Sequence, residues 1–160
     1  MTSSQVISQF VHNPVFMAPA MGWLSAQLIK IILYALIHHE FNPERMFGAG
    51  GMPSSHSATV CALATATAWK CGLSGPEFPI TFFFAFIVMY DAMGVRRETG
   101  EQAKVLNELM LQWKNMGRTL QSRDPIKSFK ELVGHTPLQV AVGALLGIVV
   151  ATVMCKYLMP

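Results

Sequence analysis

Nine consecutive residues, Gly50 to Ala58 (Gly-Gly-Met-Pro-Ser-Ser-His-Ser-Ala), join helix breakers, capping hydroxyls and one imidazole. The glycines and Pro53 end any preceding helix. Ser54 and Ser55 offer capping oxygens, and the apolar run from Ala58 to Trp69 places a helix start near His56. A helix start carries free N–H groups and the positive end of the macrodipole, which together favour an anion. His56 adds a group that gives or takes a proton near neutral pH. An ordinary capped helix with an exposed histidine accounts for the same residues. Their meaning therefore depends on what else the chain brings to them.

The elements that must position this stretch are apolar. The chain has 160 residues, 52% hydrophobic and only 13% charged, against roughly 25% charged in a soluble domain. This composition implies a single membrane-embedded domain over residues 1–160. The net charge of +3 is modest and the basic residues form no stripe, which argues against nucleic acid as a partner. Three scattered cysteines (Cys61, Cys71, Cys155) make neither a disulfide framework nor a zinc site.

Residues 1–14 read as a short tail. Val15 to Ile37 is long enough to span a bilayer, interrupted by Pro19 and Lys30. Lys30 is a functional candidate by its cost in lipid, or a side chain that snorkels to the interface. Ser57 to Leu73 is a second helix of small residues, suited to close packing. Phe78 to Met93 is a third, ending in Asp91 with Arg96 and Arg97 just beyond. Residues 100–133 are an amphipathic and connector segment: Ala103, Leu106, Met110 and Trp113 recur at helical spacing, as in a helix lying on the membrane surface or over the bundle, or equally one packed purely on protein. Thr136 to Leu158 is the last apolar run, with Pro137 in its first turn and a Gly143-x-x-x-Gly147 packing signal. The expected fold is all-α, a transmembrane bundle of about four spanning helices plus an amphipathic interfacial helix.

Alternation of spans then gathers the polar groups. If the second helix starts at one membrane face with His56, the third ends there with Asp91, Arg96 and Arg97. The fourth begins there with His135, and Lys30 lies in the same half of the first. A set of two imidazoles and several cations suits phosphoryl transfer, where catalysis is largely positioning and electrostatic stabilisation. Arg binds phosphate oxygens bidentately, and two histidines can divide nucleophilic attack from protonation of the leaving oxygen. No dense carboxylate cluster suggests magnesium, and His56 with His135 makes a weak metal site. No cofactor or metal is expected.

Pro53-Ser54-Ser55-His56 resembles the Pro-Ser-Gly-His motif of the phosphatidic acid phosphatase type 2 and vanadium haloperoxidase superfamily. The run from His135 to Gly147 resembles that superfamily's last motif. Gly-Gly-Met-Pro-Ser-Ser-His-Ser-Ala, Met-Tyr-Asp-Ala-Met-Gly-Val-Arg-Arg and Gly-His-Thr-Pro-Leu-Gln-Val look most like its divergent branch. The resemblance covers nearly the whole chain from about Gln27. It implies that His135 is the nucleophile forming a phosphohistidine and that His56 is the general acid. Ser54 and the Ser55 amide would hold phosphate oxygens. Lys30 would match the first motif's lysine, and Arg96 or Arg97 the phosphate-clamping arginine.

Several positions depart from the family pattern. Its glycine is Ser55 here, the arginine-proline pair after the first lysine is absent with only the distant Arg45 nearby, and the spacer before His135 is long. The aspartate that orients the nucleophile is Gln139. Glutamine can orient a ring but cannot stabilise imidazolium by charge; Asp91 and Glu98 are the carboxylates available to do so.

Two readings follow. One is an integral membrane phosphatase acting on a lipid phosphate. The other is a catalytically inactive relative that binds a lipid head group or serves as a structural subunit. Haloperoxidase chemistry fits a short apolar chain poorly. The expected partners are a lipid phosphate substrate or head group and membrane lipids. Arg45, Arg96, Arg97 and the basic residues of 104–130 gather at the site's face. The positive-inside rule then puts that face on the cytoplasm-equivalent side of a bacterial inner or organellar membrane.

Overall fold

The computed structural model describes residues 2–38, 51–116, 129 and 134–158. Six α-helices follow in order: α1 (Ser3–Val11), α2 (Pro14–His38), α3 (Ser55–Cys71), α4 (Glu77–Met93), α5 (Val95–Asn115) and α6 (Pro137–Val153). A π-helical turn, Met154–Leu158, closes the described chain. Among the described residues there is no strand.

The bundle is built around α3, which packs against α2, α4 and α6. Its sequence explains that position. Small side chains line it, and Ser55, Ser57, Ala58, Val60, Cys61, Ala62, Ala64, Ala66 and Thr67 are all buried. In lipid, close approach of backbones gains dispersion contacts that large side chains would prevent. Gly22 of α2 rests against the Ala58 carbonyl and the Ala62 methyl. From α6, Gly143 lies on the Ser54 carbonyl and Gly147 on that of Ala58, so close that a Cβ at either glycine would collide with α3 backbone. Further along, Ala18, Ala62, Ala66 and Ala151 continue the seam with Met154 and Cys155. The Gly143-x-x-x-Gly147 signal therefore sets the contact between α6 and α3.

Caps fix where two of the helices start. The Ser54 hydroxyl accepts the Ser57 amide at α3. At α6, Thr136 and Gln139 form a reciprocal capping box with Pro137 in the first turn. Register pairs confirm the alternation of direction: Lys30 meets Ser55 near one end, and Cys61 meets Met89 further along.

The structure corrects some details. The N-terminal stretch read as a tail contains α1, a short helix with a capping box at Thr2. Pro19 lies inside α2 without ending it; its missing N–H frees one carbonyl a turn earlier. Among the described residues three stretches are long and apolar enough to cross a membrane: α2, α4 continued through α5, and α6 continued through its π-helical turn. α3 is not among them: its 17 residues, about 25 Å of helix, stop at Gly72 with no helical continuation, and it is packed among α2, α4 and α6. The amphipathic segment starts earlier than expected, at Val95. The loop containing Arg45 and nearly all of the connector expected up to Val133 lie outside the described residues.

Gly147→Ala is expected to cost about 1–3 kcal/mol by overpacking, while Leu145→Ala, on the exposed face of α6, stays close to wild type. Thermal unfolding in detergent measures both; equal stability of the two variants would contradict the backbone contact.

Candidate functional site

At the start of α3 a buried knot of serines holds the turn. Ser54 is fully buried, and its hydroxyl accepts from both the Ser57 amide and the Ser57 hydroxyl. Its amide donates to the Gln139 carbonyl at 3.1 Å. The Ser54 hydroxyl thus serves as a helix cap and its backbone as a stitch to α6. Ser55 opens the first turn, where amides have no acceptor within the helix, and its hydroxyl accepts from the Lys30 ammonium at 3.2 Å.

Lys30 is 7% exposed, on the inner face of α2. Among the described residues no carboxylate pairs with it. A buried ammonium without a counter-charge is costly, and an anion arriving at the α3 N-terminus would supply that charge.

His135 stands just ahead of α6. Gly134 lets the chain in: it has φ +89°, and a side chain there would run into the backbone of Arg96 and Arg97. The close pass brings the His135 amide to the Ala92 carbonyl at 3.0 Å, tying the α6 entrance to the end of α4. The ring is fixed by Gln139, whose Oε1 lies 3.1 Å from the Thr136 amide and 3.3 Å from His135 Nδ1. The Thr136 amide can only donate, so the atom facing both is the oxygen, and Nδ1 carries the ring proton. Nε2 is left with its lone pair free. The His56 and His135 rings are 6.0 Å apart, centroid to centroid, in an edge-on arrangement. His56 Nδ1 is buried without a partner among the described residues, so Nε2 is the polar atom on its accessible edge.

Arg96 and Asp91 complete the charged group. Arg96 Nε donates to Asp91 Oδ2 at 2.7 Å, both side chains being nearly half exposed. This leaves the two terminal guanidinium nitrogens for another acceptor. Both residues line a groove of about 540 Å³ together with His56, Trp23, Phe84, Ile87 and Val88.

The structure therefore gathers Lys30, Ser55, His56, Asp91, Arg96, His135 and Gln139 at one end of the bundle. Of the two arginines, both exposed, Arg96 lines the groove with His56, whereas Arg97 contributes backbone beside Gly134. Asp91 faces Arg96, and the group on His135 Nδ1 is Gln139 alone among the described residues. Glu98 is exposed on α5. Sequence reading missed Gly134 and Thr136 as positioning elements, and Trp23 and Phe84 as groove walls. The glycine directly before His135, and aromatics seven residues from Lys30 and Asp91, were the available signals.

A family model described as the divergent PAP2 family matches residues 11–150. A Bacillus subtilis (strain 168) protein described as the uncharacterized membrane protein YuiD is 37% identical over 140 residues, covering 84% of this chain and 89% of that protein. No solved structure matches the chain.

Burial pushes the His135 imidazole below its usual range. The Gln139 hydrogen bond pulls the other way, and the positive charges of Lys30, His56 and Arg96 push it lower again. Histidine NMR should therefore show His135 titrating below about 6.5, and Lys30→Met should move it upward. Below pH 6.5 the unfolded chain binds the proton that the folded site resists. Stability from this group is thus full above that pH and falls as acid approaches the folded value. A His135 titration at or above 6.5 would contradict this environment.

Proposed function

The chain belongs to the divergent PAP2 family, and from that premise we propose that it is an integral membrane phosphatase that hydrolyses a lipid phosphomonoester without a metal, through a phosphohistidine. The observation that carries the reading is the 6.0 Å approach of His56 and His135, with Lys30, the α3 N-terminus and Arg96 around them. His135 Nε2 attacks phosphorus as the bond to the leaving oxygen breaks, and His56 gives that oxygen a proton. Water then attacks the phosphohistidine, His56 takes a proton from it, and inorganic phosphate leaves with His135 restored. Lys30, the first-turn amides and Arg96 stabilise charge on the non-bridging oxygens. A lipid substrate is supported by the place of the site, at the end of apolar membrane helices where a head group can reach it. Both termini are proposed to lie opposite the site, which faces the cytoplasm-equivalent side; a terminal tag found accessible from the cytoplasm would contradict that orientation.

Gln139 favours a second reading, a relative that binds a phosphorylated head group without turnover or serves as a structural subunit. An amide oxygen orients His135, but gives imidazolium no counter-charge. A single assay separates the two. Purified protein is given a long-chain alkyl phosphate in detergent and released phosphate is measured. Wild type is expected to turn over, His135→Ala to abolish release, and His56→Ala to lower it by about 10²–10⁴-fold. Gln139→Asp should raise the rate by supplying the missing charge. Release unchanged in His135→Ala would overturn the phosphohistidine; binding without release in wild type would support the second reading.

A further inference from the structure

The space between α2 and α4 plays no part in the phosphoryl chemistry, yet it is continuous with the site. Among the described residues α2 and α4 make no contact with each other, and α3 forms the floor between them. The groove left there is charged at one end, where His56, Asp91 and Arg96 lie, and apolar along Trp23, Val60, Phe84, Ile87 and Val88. Helical spacing explains that polarity. Trp23 and Lys30 are seven residues apart on α2, as are Phe84 and Asp91 on α4. Seven residues are two turns, so each aromatic lies on the same face as its charged residue, about 10 Å further from the charged end. The side of the groove is open: Ile87 is 64% exposed, Phe84 50% and Trp23 38%. A groove of about 540 Å³ with an apolar wall is large enough to admit a hydrocarbon chain.

Building on the lipid-phosphate reading, we propose that the α2–α4 groove seats a single hydrocarbon chain of the phosphorylated amphiphile, with Trp23 and Phe84 as the residues that determine which chain it takes. The occupant follows from charge complementarity and continuity. A molecule whose anionic head meets Lys30, His56 and Arg96 has its tail directed along this wall, and the open side lets it enter from the bilayer without leaving it. A zwitterionic lipid of the same chain gains much less at the charged end. Head selection thus rests on the cations and tail selection on the aromatic pair.

The test uses tryptophan emission and does not need turnover. In Trp69→Phe/Trp113→Phe protein, Trp23 is the remaining tryptophan. An alkyl phosphate brominated in its chain is titrated against the matching alkyl phosphocholine in vesicles of otherwise unbrominated phosphocholine lipid. The phosphate is expected to quench Trp23 at a several-fold lower mole fraction, and Lys30→Met to erase the difference. A second reporter, Phe84→Trp with Trp23→Phe in the same background, should show the same preference from the opposite wall. Identical quenching by both lipids at both reporters overturns the chain subsite. Phosphate release from the same preparation reports separately on hydrolysis: selective quenching without release keeps the subsite and removes the phosphatase, and release without selective quenching does the reverse.

Discussion

Close contact between backbones along α3 is the constraint on which the rest of the structure depends. Gly22, Gly143 and Gly147 press directly on α3 main chain, and alanines extend the contact toward the far end. In lipid no hydrophobic force drives these helices together, so fit and dispersion must do it. The same contacts fix the site. Gly143 sits on Ser54, one residue from Ser55 and two from His56, and Gln139, one turn before Gly143 on α6, bonds both Ser54 and His135. Widening the α3–α6 contact by the width of a methyl group would separate the two imidazoles as well as weaken the bundle.

A second constraint is electrostatic. Lys30 is buried beside Ser55 with no carboxylate partner among the described residues, and two imidazoles and Arg96 stand close by. Asp91 is committed to Arg96. The site therefore has a deficit of negative charge, concentrated where the first turn of α3 presents amide donors. That arrangement suits a phosphate, whose charge is spread over several oxygens. Gln139 leaves the deficit in place, where a carboxylate would partly cancel it. The departure at this position thus favours anion capture while giving less support to imidazolium.

Much of this was legible in the sequence because membrane threading leaves few choices. Alternating spans forced Lys30, His56, Asp91 and His135 to one end, and Gly143-x-x-x-Gly147 marked the contact that α6 makes with α3. Other features depended on side-chain geometry that spacing does not carry. Ser54 was readable both as a cap and as a phosphate-holding group, and only the structure shows its hydroxyl buried in the capping role. Arg96 and Arg97 are adjacent in sequence, and only the bend at Gly94 and the pass of Gly134 decide which one reaches the groove. α3, expected as one of about four spans, is the alanine-rich helix buried among α2, α4 and α6, and spacing alone did not set it apart from the helices that face lipid. The groove was hidden for a related reason: an apolar residue facing a chain subsite looks the same in sequence as one facing bulk lipid.

The central claim is that His56 and His135 belong to one receptor for a phosphate group. Histidine-labelled protein titrated with inorganic phosphate tests it most directly, with the two imidazole resonances assigned through His56→Gln and His135→Gln. Both rings are expected to shift along one saturation curve, and Lys30→Met to weaken that curve for both together. Shifts that saturate at different phosphate concentrations, or a response confined to one ring, would contradict a shared site.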